Sequence, residues 1–294
     1  MKEESYLSPF RLENDSRVLF DPDQKTIHAM DIKEAYEDTD LSDLDIHILK
    51  IIYMYHHAAR SVIEYELDLR HIRQPKNLVR TLKHLYEQGC IRRFRLSDKT
   101  GATYFYSLTE GSTSYVRGLG TDTDFPDPLP NDYVIASECQ LLSSQQVLCG
   151  LRKNYAALSS DIWFYKELSG SFGSVVLYGG AKLKRQYQYI DLYLYSVRGS
   201  RIAESLAGIT PLLQYTAQDS IFLLICEDVK QVADTAELVA KLYPEHKQAI
   251  LYTYDVLIAG GTLSNRILSV DTSTGVMEYG SLFLDQFFDT PQAL

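Results

Sequence analysis

The stretch Thr121–Asp132, TDTDFPDPLPND, constrains this chain more than any other. It holds three prolines and four aspartates. Each proline lacks the amide proton that a helix interior or an inner strand needs, and each pushes the residue before it out of the helical region. The like charges repel and keep the segment extended. No regular element crosses it, so the chain of 294 residues divides here. Length alone also favours two domains. The expected organisation is an acidic extension over residues 1–40, a first domain over 41–120, a linker over 121–132 and a second domain over 133–294.

Charge is distributed unevenly. The net charge is −10, yet residues 60–99 carry 10 basic and 5 acidic side chains, a local excess of +5. Residues 1–59 carry 6 basic and 13 acidic side chains. Screening acts over ~8 Å at physiological salt, so a basic face works locally on an acidic protein. No apolar run approaches a membrane span, and MKEESYLSPF lacks the apolar core of a signal peptide. A cytoplasmic protein with no membrane partner is expected. Cys90, Cys139, Cys149 and Cys226 form no C-x-x-C pair, so buried reduced thiols are expected, with no disulfide framework and no metal.

The basic window lies in a recognisable order of elements. Ser42 and Asp45 fit a capping box, followed by Leu44, Ile48, Ile51, Ile52 and Tyr55 at helical spacing, and the helix is expected to end near Ala58. Ser61 and Glu64 suggest a second box and a short helix through about Leu69. Pro75 and Gly89 bracket a third helix. Ile91–Leu96 and Ala102–Leu108 read as a hairpin around SDKTG, and Ser112–Leu119 as a short helix. In the third helix Leu78, Leu82 and Leu85 share one side, while Lys76, Arg80 and Lys83 fall opposite.

Helix, helix, helix, hairpin, with Leu82-x-x-Leu85-x-x-x-Gly89-x-Ile91-x-Arg93 running into the hairpin, resembles the winged helix-turn-helix of DNA-binding regulators. That resemblance implies a third helix that enters the major groove of duplex DNA and a hairpin that acts as the wing. Its implied DNA-binding residues are Arg73, Lys76, Asn77, Arg80 and Lys83 on or before the helix, and Arg92, Arg93, Arg95 and Lys99 in the hairpin. Glu87 lies on the same basic face. Winged-helix readers usually pair on two half-sites, so a homodimer is expected, with the Glu138–Leu151 helix and the LFLDQFF segment as its surfaces.

The second domain alternates helix and strand. Glu138–Asn154 reads as a helix and Ser160–Leu168 as a further helical piece. SVVLYGG and QYQYIDLYLYSV read as strands joined through GGAKLKR, a basic hairpin tip. Arg201–Tyr215 and Val229–Tyr243 read as helices, SIFLLICED and QAILYTYDVLI as strands, and RILSV with GVMEYGSLF as a closing hairpin. The expected class is α+β or α/β, a mixed sheet of five or six strands with a parallel crossover from Ile221–Glu227 to Ala249–Tyr254. The Tyr-rich strands read as half-buried packing and not as a base-stacking surface.

No P-loop, dinucleotide fingerprint, H-E-x-x-H or nucleophile elbow occurs in the sequence. Neither catalytic residues nor a cofactor are expected. The element order is compatible with a restriction-endonuclease-like sheet. Asp191 falls on a strand, but no E-x-K follows where the metal ligand and lysine would stand. Winged helix, linker and such a sheet together resemble the replication-relaxation family of mobile elements. That implies a non-enzymatic DNA-binding regulator, or a replication or mobilisation accessory, whose second domain dimerises or docks a protein partner. The alternatives are a degenerate metal-dependent nuclease, or a winged helix that binds protein.

Overall fold

The computed structural model describes residues 8–12, 16–20, 41–72, 77–97, 102–121, 135–154, 162–170, 173–185, 188–215, 220–245, 249–255, 267–271 and 276–279. Helices and several sheets are mixed along the chain. Two compact units result: Asp15–Tyr133, the small unit, and Met1–Asn14 with Val134–Leu294, the large unit.

The small unit runs β1 (Arg17–Phe20), α1 (Asp43–Tyr55), β2 (Ala58–Ala59), α2 (Arg60–Leu69), α3 (Leu78–Glu87), β3 (Ile91–Ser97), β4 (Ala102–Leu108) and α4 (Glu110–Gly118). Its sheet has the order β1-β3-β4-β2, antiparallel throughout. The Ser42 capping box forms: the Asp45 amide donates to the Ser42 hydroxyl at 3.3 Å, and the Ser42 amide donates to the Asp45 carboxylate at 2.8 Å. Ile48, Ile51 and Ile52 of α1, Val62, Ile63 and Leu67 of α2, Leu82 and Leu85 of α3, and Phe94 and Phe105 of the sheet are buried together in this unit. Glu66 is fully buried but paired, accepting from the Tyr55 hydroxyl at 2.7 Å and from Arg70 Nε at 3.2 Å.

Two boundaries differ from the sequence expectation. Helix α1 stops at Tyr55 and not near Ala58. At His56 the backbone turns to φ 61° and ψ −57°, and the His57 amide donates to the Tyr55 carbonyl at 2.7 Å. This is a γ-turn, a strained way to reverse direction for a residue with a Cβ. It throws Ala58 and Ala59 into register with Tyr106 and Phe105. Helix α2 then starts at Arg60, with Ala59 as an N-cap that makes no side-chain bond, so the predicted Ser61 box does not form.

The turn should make the small unit acid-sensitive. Burial, and then the neighbouring His57, pull the His56 imidazole down from 6.5 to about 2. Between those values the unfolded chain holds a proton that the fold excludes, so stability is lost as pH falls below about 6.5. His56→Gly removes the titrating ring and suits the positive φ. Its melting temperature should therefore fall less than that of the wild type between pH ~7.5 and ~5, measured by circular dichroism. Parallel losses in the two proteins would refute this origin.

The large unit contains α5 (Ile135–Asn154), β5 (Ile162–Trp163), β6 (Lys166–Gly170), β7 (Gly173–Leu177), β8 (Gly180–Arg185), β9 (Gln188–Ser196), α6 (Ile202–Ala207), α7 (Ile209–Tyr215), β10 (Ile221–Cys226), α8 (Val229–Leu242), β11 (Ala249–Tyr254), β12 (Leu268–Asp271) and β13 (Val276–Tyr279). Seven strands form a mixed sheet in the order β13-β12-β11-β10-β9-β8-β5, while β6 and β7 pair separately. Strands β9, β10 and β11 are parallel. The run IFLLIC of β10 is buried at every residue, as a central strand covered on both faces requires. Tyr193, Phe222, Leu224 and Tyr252 pack with Leu206, Leu212, Val232, Ala236 and Val239 of α6, α7 and α8. From α5, Gln140 Nε2 donates to the Ser196 carbonyl at 3.1 Å and Ser144 bonds Ser196 at 3.0 Å.

Several expectations for this half are corrected. The piece Ser160–Leu168 is extended where described, supplying β5 and the start of β6. The supposed hairpin tip GAKLKR is strand β8, antiparallel to β9. Ala181 and Leu183 point inward and Lys182 outward, the period of a half-buried strand. Gly180 permits the packing, because a Cβ there would lie 2.4 Å from the Leu192 carbonyl oxygen. The helix expected over Arg201–Tyr215 breaks at Gly208, where a Cβ would lie 2.4 Å from the Tyr195 hydroxyl. That hydroxyl donates to the Ser205 carbonyl at 2.5 Å. Helix α5 is buried from Leu141 to Leu151 within the chain, so it offers no face for dimerisation. LFLDQFF lies outside the described residues.

Candidate nucleic-acid interface

Helix α3 has two chemically distinct faces. Leu78, Leu82 and Leu85 are buried, while Val79, Arg80, Lys83 and Glu87 are exposed. Lys83 reaches Glu87 at 3.4 Å, an exposed pair one turn apart that contributes little. Asn77 is the N-cap: its side-chain oxygen accepts the Arg80 amide at 3.2 Å, so it holds the helix start. Arg73 and Lys76, and Lys99 of the hairpin, lie outside the described residues.

The hairpin arginines do not share a face. Strand alternation places Arg92 beside buried Phe94 and Leu96, and Arg93 and Arg95 on the opposite, outer face. Arg93 ties this face to α3. Its guanidinium lies 4.8 Å from the Tyr86 ring and 5.6 Å from the Tyr104 ring. Strand β1, which the sequence pattern does not place beside the hairpin, widens the face. It sets Leu19 opposite Arg95 and Arg17 opposite Ser97. Across β4, Arg95 faces Tyr104. Arg17 and Arg95 are exposed, as are Leu19 at 48% and Tyr104 at 45%.

A second polar constellation, in the large unit, is one that no sequence pattern singled out. Arg198, Glu227 and Asp255 stand just past the carboxyl ends of β9, β10 and β11, and all three are buried. Asp255 accepts from Arg198 Nη2 at 3.0 Å and Nη1 at 2.5 Å, from Ser143 Oγ at 2.8 Å and from Ser8 Oγ. Glu227 accepts the amides of Leu12 at 2.7 Å and Gly199 at 2.9 Å. Burial pushes its carboxyl above the usual range, with Arg198 pulling the other way. The carboxyl ends of parallel strands are the usual ligand crevice of an open α/β sheet. Here residues 8–12 contribute donors to it, and the cluster pins that segment to the sheet. A charged residue one or two positions after each of the three parallel strands was the available signal.

The remaining candidates resolve simply. Asp191 is half-buried on β9 opposite Lys182, and the Tyr193 hydroxyl approaches its carboxylate at 3.5 Å. Burial and then Asp191 push the Tyr193 hydroxyl up to about 12. Tyr193, Tyr195 and Tyr252 are buried, as packing requires, and Tyr189 is exposed; Tyr187 lies outside the described residues. All four cysteines are buried thiols, and burial first of all pushes Cys90, Cys139 and Cys226 up to about 12, which makes them poor nucleophiles. Among the described residues no group of His, Cys, Asp and Glu gathers as metal ligands, and no helix is long and apolar enough to cross a membrane. A fold of mixed helices and sheets with an arginine-bearing surface is what these observations define. Comparison with protein-family models, curated proteins and solved structures finds no match.

Proposed function

We propose that the chain is a non-enzymatic DNA-binding protein that reads duplex DNA with a winged helix, a regulator or replication or mobilisation accessory of a mobile element. The observation that carries this reading is the two-faced α3, apolar toward the core and bearing Arg80 and Lys83 outward, coupled through Arg93 to the hairpin. Helix–hairpin coupling of this kind suits a groove contact by α3 and phosphate contacts by Arg93 and Arg95. The large unit then pairs two copies or docks a protein partner; light scattering should give twice the chain mass, and a concentration-independent monomer refutes pairing.

Gel shifts over a salt series test the duplex reading. Arg80→Ala should flatten preference among sites, because a guanidinium paired with guanine supplies ~1–3 kcal/mol of discrimination. Arg93→Ala and Arg95→Ala should weaken all sites alike and lower the salt slope by roughly one unit for each phosphate no longer neutralised. A folded protein that selects no fragment from a genomic pool at low salt would leave the basic face a solvated surface. Magnesium-dependent cleavage that disappears on Asp191→Ala would instead favour the nuclease alternative.

A further inference from the structure

Phosphate binding explains arginines on the outer face of the small unit's sheet, but not what stands between them. Leu19, Arg95 and Tyr104 form one row directly across β1, β3 and β4. Leu19 and Tyr104 are each about half exposed, at 48% and 45%. On an antiparallel sheet with one wet face, outward positions are ordinarily polar. Arg93 lies two residues along β3 from Arg95, roughly 7 Å away, and Arg17, opposite Ser97, continues the line in the other direction. The face therefore carries a stripe of three cations with an aromatic ring and an aliphatic side chain set into it.

We infer that this face is a second site, for an unpaired nucleic-acid strand. Arg17, Arg95 and Arg93 would run along its phosphates, with one base stacked on Tyr104 and flanked by Leu19. A cationic path with an exposed ring is how unpaired strands are held without sequence preference. A duplex is a poor occupant, because its bases already stack on one another and offer the ring no face. Tyr104 is also preorganised. The Arg93 guanidinium lies 5.6 Å from its ring and 4.8 Å from that of Tyr86, and this contact limits the Tyr104 ring's freedom before any base arrives. Tyr86 belongs to α3, so this site adjoins the proposed duplex reader; it shares Arg93 and Arg95 with that reader and is set apart by Tyr104, Leu19 and Arg17.

Fluorescence anisotropy with the full chain separates the two sites. Three labelled probes serve: a blunt duplex, a single-stranded oligonucleotide, and the duplex carrying a single-stranded overhang. The wild type should bind the single strand and should favour the overhang over the blunt duplex. Tyr104→Ala should weaken single-strand and overhang binding by roughly 5- to 150-fold, the range for one stacked base. It should leave blunt-duplex binding unchanged, while Tyr104→Phe keeps the ring and should retain affinity. Arg17→Ala should reduce the salt slope on the single strand. Arg80→Ala should flatten preference among duplex sequences and spare the single strand. Equal wild-type affinity for overhang and blunt duplex, or single-strand binding indifferent to Tyr104→Ala at unchanged melting temperature, overturns the inference. Loss of duplex binding alone overturns the duplex reading and leaves this site standing.

Discussion

Replacing Asp255 with alanine should cost the large unit ~3–5 kcal/mol, the usual loss when one partner of a buried ion pair is removed. The Arg198 and Asp255 side chains are each 1% exposed, so water does not replace the missing partner. Alanine leaves a guanidinium in the interior, and the Ser143 and Ser8 hydroxyls lose their acceptor. The loss is a large part of the ~5–15 kcal/mol that holds a domain. Trp163, the single tryptophan, belongs to this unit and packs 6.0 Å from the Tyr193 ring, so its fluorescence reports the unit's unfolding in urea. The midpoint should move to much lower urea. The double replacement Arg198→Met with Asp255→Leu removes both charges and should recover much of the loss. A wild-type midpoint for Asp255→Ala, or a double variant worse than the sum of the singles, would show that the pair does not hold the strand ends together.

In the small unit the largest effect should come from Leu82→Ala. Leu82 is 1% exposed on the core face of α3, and truncating such a side chain costs ~2–5 kcal/mol. Arg80, two residues earlier on the opposite face, is exposed, and its truncation should stay within about 0.5 kcal/mol. The two variants therefore separate folding from binding. Leu82→Ala should lower the melting temperature and weaken every ligand together. Arg80→Ala should melt like the wild type and lose only duplex discrimination. Equal melting shifts would mean that α3 presents its faces the other way round.

Elements whose signals are local are legible in the sequence. The Ser42–Asp45 box, the leucine stripe of α3, Gly89 at φ 76° past its end and the parallel crossover from β10 to β11 all follow from spacing and residue type. Strand β8 is hidden because GGAKLKR looks like a turn; only the close approach of Gly180 to the Leu192 carbonyl shows why glycine begins a strand there. Helix α5 reads as an interface because of Leu141, Leu142, Val147, Leu148 and Leu151, and apolar side chains look the same whether their own chain or a second copy covers them.

While the assignment of residues 1–14 to the large unit came only from the structure, the sequence by itself determined where most of the helices lie and that basic residues fall on α3 and the hairpin. Those properties depend on near neighbours along the chain. Only the tertiary structure decided that β1 joins the hairpin and completes the Leu19–Arg95–Tyr104 row, and that Arg92 turns away from it. The same holds for Ser8, Arg198 and Asp255, which meet although 247 residues separate the first from the last. Strand pairing and burial of charge join residues distant in sequence, and their free energy depends on partners that no local pattern names.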